Sequence, residues 1–272
     1  MRHTSLSPPR LGFAGVALGV IAVVVAGAAG PAGAQSAKAQ APAAKPGAGQ
    51  SWLRIDTVQV KPEMWTEYRA LERDEVVPAL RKAGVQSRAA WITAEFGSTY
   101  EIVLVRPVAD FGEYDGGDLL SKALAPREAE RLRERLRRCL LSRDSAAILE
   151  RSDLSVGESG RPFTVQTTLT VAPGRNDEYE DFLRETLPEV RKAGIVFGVY
   201  QRVYGQQIAW LLVENFDSLR ELARPPSAWL RAFGQEGGER QLERLTGVLT
   251  SVERKVFRFD PELSFSFGAA AR

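Results

Sequence analysis

The chain has 272 residues, with 36 Lys and Arg against 34 Asp and Glu, one histidine (His3) and one cysteine (Cys139). This near-neutral balance removes the support for a nucleic-acid or anionic-membrane role. A lone cysteine excludes an internal disulfide.

In chain order, Arg2, His3 and Arg10 make a basic start, Leu11 to Gly30 is an uncharged run, and Ala32-Gly33-Ala34 is a small-residue site. That is the order of a secretory signal peptide, assigned to residues 1–34. An uncleaved anchor has a similar length. Ala and Gly are weakly hydrophobic, however, and no cysteine follows the run to carry a lipid. The expected product is periplasmic or secreted, starts near Gln35, and makes no stable membrane insertion after cleavage. Cleavage takes Arg2 and Arg10, leaving 34 residues of each sign, and takes His3, the one histidine. The mature chain then excludes His-ligated haem, His-built zinc or iron sites, and Ser-His-Asp or Cys-His catalysis. No cofactor and no metal are expected. Residues 35–50 hold no aromatic or β-branched residue and read as a flexible linker.

The folded part starts near Ser51. Trp52, Arg54, Asp56, Val58 and Val60 share one face of a strand. A helical run with Trp65 and Tyr68 follows, ending in "VVPALRKAG", Val76 to Gly84. "DFGEYDGGD", Asp110 to Asp118, is an acidic, Gly-rich loop without the spacing of a calcium loop. Residues 127–143 hold seven Arg and three Glu, with Ala129, Leu132, Leu136, Cys139 and Leu140 at helical spacing. They predict an amphipathic helix with Cys139 as a buried, inert thiol. Its Arg face is either solvated or paired with Glu, or a surface for an anion, a membrane or a protein.

Phe163, Val165, Thr167, Leu169 and Val171 alternate with polar residues, predicting a strand. A helix follows, in which Tyr179, Phe182, Leu183, Leu187 and Val190 are apolar and Gly194 marks the end. The acids of Asn176 to Asp181 sit in its first turn, where they offset the helix dipole; a hard cation is the alternative. Two strands joined at Gly205, a helical stretch including Gln241 to Val248, and a strand in "RKVFRF" complete the copy.

"TLPEVRKAG", Thr186 to Gly194, repeats the earlier phrase. Pro62 and Pro173, and Tyr68 and Tyr179, lie 111 apart; Pro78 and Pro188 lie 110 apart; Val105 and Val213 lie 108 apart. The repeat therefore spans a domain, 51–155 and 162–267, and each copy reads β-α-β-β-α-β, a ferredoxin-like unit. Such a unit covers one sheet face with helices, and a second copy can bury the other. The expected fold is α+β: two tandem ferredoxin-like repeats paired into an intramolecular α/β barrel, a monomeric pseudo-dimer.

"APGRNDEYEDFLRETLPEVRKAG", with its Pro-Gly turn, acid-Tyr pair and Ala-Gly end, resembles the first helix of the dimeric α/β-barrel superfamily. The NIPSNAP-like and antibiotic-biosynthesis-monooxygenase-like branches are the nearest in pattern. The first copy departs from it, because Lys61-Pro62-Glu63 has no glycine after the proline. The resemblance implies the barrel fold and, as one function, a cofactor-free oxygenase or isomerase. The superfamily's haem enzymes use a His ligand, which the mature chain lacks.

Where the second copy has Val165 and Thr167, the first has Arg54 and Asp56. This broken symmetry marks either a structural ion pair or a polar pocket in the first repeat. Trp65, Tyr68, Trp91 and Tyr100 are core aromatics or the lining of that pocket. No nucleophile-base constellation is present. The functions carried forward are an exported small-molecule-binding or accessory protein, a cofactor-free enzyme, and a protein-interaction module using helix 127–143.

Overall fold

The computed structural model describes residues 50–157 and 160–265. The expected signal peptide and residues 35–49 of the linker lie outside them; Gln50 opens the first strand. The first repeat runs β1 (Gln50–Val60), α1 (Trp65–Leu71), a π-helical turn (Glu72–Val76), α2 (Val77–Lys82), β2 (Ala89–Thr93), β3 (Glu101–Val108), α3 (Leu119–Ala123), α4 (Pro126–Cys139) and β4 (Leu140–Arg151). The second runs β5 (Phe163–Val171), α5 (Asn176–Lys192), β6 (Phe197–Tyr204), β7 (Ala209–Phe216), α6 (Ala228–Glu243) and β8 (Leu249–Phe259).

The repeated phrase is a helix ending. Gly84 and Gly194 sit at φ 88° and 68°, the left-handed region that a Cβ disfavours. Their amides donate to the carbonyls of Arg81 and Arg191, and the next amides, of Val85 and Ile195, reach back to Leu80 and Val190. The change of spacing from 111 to 110 also has a place. The first repeat carries one more residue between its Tyr and its Pro, and the π-helical turn Glu72–Val76 absorbs it. Such single-turn bulges rotate side chains out of the α-helical register. The second repeat crosses the same stretch as unbroken α5.

The strands close into one barrel in the order β1-β3-β2-β8-β5-β7-β6-β4. Each repeat supplies four antiparallel strands, and the seams are β2 with β8 and β4 with β6. Closure leaves no free sheet edge for a second chain. Alternation along the strands then separates three cores. Ile55, Val103, Ile148, Leu211 and Phe257 fill the lumen. Val58, Val60, Ile102 and Leu104 lie outside it under the first repeat's helices. Leu169, Val199, Trp210 and Leu212 lie under α5 and α6.

After its last strand each repeat sends an arm across the seam. Leu154 and Val156 pack in the second repeat's core, and Leu263 and Phe265 pack in the first's. Ser155 and Ser264 play matching parts: their hydroxyls accept from the amides of Val199 and Ala90, each at 2.9 Å.

Two elements differ from expectation. The helix expected over 127–143 stops at Cys139, and Leu140 to Arg143 start β4. Pairing of that strand with β1 from Val60 to Gln50 outweighs the helical spacing. The helical stretch of the second copy lies earlier than Gln241 to Val248: α6 ends at Glu243, a turn through Gly247 follows, and β8 starts at Leu249.

Candidate functional site

Arg54 and Asp56 lie on the helix-facing side of β1, opposite in parity to Ile55 in the lumen. They line a cavity of about 550 Å³ between the first repeat's sheet and its helices. Val76, Leu80 and Leu104 form its buried apolar wall, with Leu136 and Leu140 beside them. Arg137, Leu141, Ser142 and Arg143, all exposed, form the rim where α4 turns into β4.

The pair itself is well made. Arg54 Nε reaches Asp56 Oδ2 at 3.0 Å and Arg54 Nη2 reaches Oδ1 at 3.0 Å, the bidentate fork that suits a guanidinium. Arg143 Nη2 lies 3.1 Å from Asp56 Oδ2, and the Ser145 hydroxyl also donates to Asp56. Burial disfavours ionisation of Asp56, but the charge of Arg143 and the hydrogen bonds and charge of Arg54 outweigh it, and the carboxyl titrates below its usual range. The Tyr114 ring stands 5.6 Å from the Arg54 guanidinium carbon, and its hydroxyl accepts from Arg106 Nη2 at 2.8 Å.

Deeper in, Arg88 donates from Nη1 to Glu72 Oε2 at 2.7 Å and from Nη2 to the Leu263 carbonyl at 2.9 Å. Tyr68 donates to Glu72 Oε1 at 2.9 Å. All three side chains are buried. Burial, then the charge of Glu72, pushes the Tyr68 hydroxyl well above its ordinary value.

The six candidate residues therefore separate. Arg54 and Asp56 line the cavity, and Tyr68 stands behind it through Glu72. Trp65 and Tyr100 meet edge to face at 5.5 Å in the helix-side core. Trp91 points into the lumen, against Phe259 at 5.2 Å. Sequence reasoning missed Glu72, Arg88, Arg106, Tyr114 and Arg143. For Glu72 the signal was the extra residue before Pro78. Arg143 carried no such signal: only the pairing of Val58 with it places it beside Asp56 on the same face.

The other motifs are accounted for locally. In the Asn176–Asp181 stretch, Glu178 pairs with Arg175, Glu180 with Arg151 and Arg184, and Asn176 accepts from Trp210 Nε1 at 3.1 Å. On α4, Arg133 pairs with Asp118 and Glu130, and Arg135 with Glu75. Cys139 is buried, with its sulfur on the Arg135 carbonyl at 3.3 Å, and burial raises its thiol. Among the described residues no three His, Cys, Asp or Glu side chains gather as a metal site, and no helix is long and apolar enough to cross a membrane.

No protein-family model matches the chain, and no curated protein matches it. Solved structures do. An anthrone oxidase-like protein superposes with a TM-score of 0.54 at 13% identity, covering 77% of this chain and 91% of that one. A chlorite dismutase variant from Candidatus Nitrospira defluvii gives 0.49 at 10%, covering 78% and 92%. A NIPSNAP family protein from Agrobacterium tumefaciens gives 0.30 at 12%, covering 35% of this chain and 89% of that one. Strand order, closure and the first of these likenesses define the fold: the dimeric α/β barrel, with both ferredoxin-like halves in one chain. A His-ligated haem does not fit the cavity. It has no imidazole, Cys139 lies in the core outside the lining, and the one phenol in the lining, Tyr114, is engaged by Arg106.

Proposed function

We propose that this is an exported small-molecule-binding protein whose ligand sits in the first repeat's cavity. The observation that carries the reading is the cavity itself. Its volume lies within the range of small-molecule sites, and its lining sets the aliphatic side chains of Val76, Leu80, Leu104 and Leu136 among polar groups that are mostly paired with one another. Export is supported by the order of residues 1–34. Sequencing the exported protein should find its N-terminus near Gln35, and a retained Met1 on a membrane-bound product would refute export.

The binding test is native mass spectrometry of protein purified without a tag, followed by thermal shift with whatever co-purifies. Arg54→Ala should abolish that ligand's stabilisation, whereas Val165→Ala, the matching position in the second repeat, should leave it. Asp56 keeps Arg143 and Ser145 in the first variant, so the fold survives. A ligand unaffected by Arg54→Ala would place binding elsewhere. A cofactor-free oxygenase is second, since the carboxylates of the cavity are all held in ion pairs with arginine and none is free as a base. Incorporation of oxygen into the bound ligand would reverse that order.

A further inference from the structure

We propose that the cavity takes an amphipathic monocarboxylate, with its carboxylate on Arg143 at the rim and its hydrocarbon body against Val76, Leu80, Leu104 and Leu136. This assignment presupposes that the cavity is a ligand site; it adds the chemical class and the residue that selects it.

The arginines lining the cavity outnumber the acids paired with them by one. Arg88 has Glu72 at 2.7 Å, Arg106 has Glu113 at 2.6 Å, Arg133 has Asp118 at 2.7 Å, and Arg137 has Glu130 at 3.7 Å. That leaves Asp56 for both Arg54 and Arg143, at 3.0 and 3.1 Å. Of these Arg54 is the committed one: it is bidentate on Asp56, donates to Ser145 and lies over the Tyr114 ring. Arg143 is the spare. It directs Nε and Nη2 at Asp56, has no partner for Nη1 among the described residues, and has 49% of its side chain exposed. A guanidinium with free donors beside an opening matches one carboxylate, and its single net charge matches a monoanion better than a dianion or a cation.

The depth of the cavity sets the rest of the molecule. Its buried polar groups are already satisfied: Arg88 by Glu72 and the Leu263 carbonyl, and Glu72 also by Tyr68. A polar group on the buried part of a ligand would lose water and find no partner there. What remains for it is the aliphatic wall.

The test is calorimetric titration of the mature chain with octanoate, octan-1-ol and octylamine at low salt. Octanoate should bind about tenfold or more tighter than octan-1-ol, since a charge-assisted pair at a half-exposed rim separates them. Octylamine should bind weakest. Arg143→Gln should bring octanoate down to the level of the alcohol and leave the alcohol unchanged; Asp56 retains Arg54, so the variant keeps its fold. Equal binding of octanoate and octan-1-ol, or octanoate binding insensitive to Arg143→Gln, would overturn the carboxylate assignment while leaving a ligand site. Failure of all three to bind would overturn the ligand-site reading and this one with it.

Discussion

The two repeats share strand order, helix endings and crossing arms, yet a cavity of about 550 Å³ lies under the first repeat's helices where an aromatic side chain occupies the matching place in the second. The difference is made by a few side chains. Where the first repeat has Val76 facing open space, the second has Thr186, whose hydroxyl accepts from Trp229 Nε1 at 2.9 Å. Trp229 comes from α6 and fills the gap against Phe182, 5.4 Å between ring centres. The first repeat's α3, in the same place in the order, brings Leu119 and Leu120 and no aromatic. The arms show a second inversion. Asp260 meets Arg69 at 2.7 Å in one half, and Arg151 meets Glu180 at 2.7 Å in the other. The charges are exchanged, so each arm suits its own partner. A duplicated fold can thus keep its backbone while an aromatic fills one half and a cavity stays open in the other.

Removing the plug should have the largest effect. Trp229→Ala should cost about 3–5 kcal/mol in urea unfolding and open a cavity in the second repeat. A loss under ~1 kcal/mol would mean that the half is not packed around it. Next come the arms. Leu154→Ala and Leu263→Ala should each cost about 2–5 kcal/mol, because both side chains are fully buried in the opposite repeat. Strongly unequal losses would break the symmetry of the exchange. The matched insertion is smaller: Thr186→Phe should cost about 1–3 kcal/mol by overpacking, while Val76→Phe should cost well under that because the cavity receives the ring.

The smallest effect is electrostatic and has opposite sign in the two halves. Asp56 titrates below its usual range, so its contribution is full above the unfolded value of ~4 and is lost as pH falls through the lower folded value. Glu214 titrates above its usual range because burial outweighs Arg231, so its contribution is full below ~4.3 and is lost as pH rises through the raised folded value. Asp56→Asn should flatten the acid loss of stability. Glu214→Gln should stabilise most at neutral and alkaline pH. Urea midpoints across pH would show the same sign for both if the carboxylates were equivalent.

The barrel was legible because a repeat constrains everything at once. Strand periods, the RKAG endings and the spacing of about 110 all describe the same unit twice. Arg54 and Asp56 were legible as candidates because they break that repeat. The rest needed three dimensions. Arg143 read as the end of a helix until β1 claimed it as a strand partner. Glu72 had only a one-residue drift to announce it. Leu154-Ser155 and Leu263-Ser264 repeat each other, but the core each enters belongs to the other half, and nothing in a linear alignment says so.

On the proposed reading the first repeat binds the ligand and the second does not. Calorimetric titration of octanoate into Val76→Phe tests it most directly, since the substitution fills the cavity without touching Arg54, Asp56 or Arg143. Octanoate affinity should fall about tenfold or more while the unfolding midpoint stays near that of the parent chain. Unchanged affinity in a folded Val76→Phe protein would contradict it.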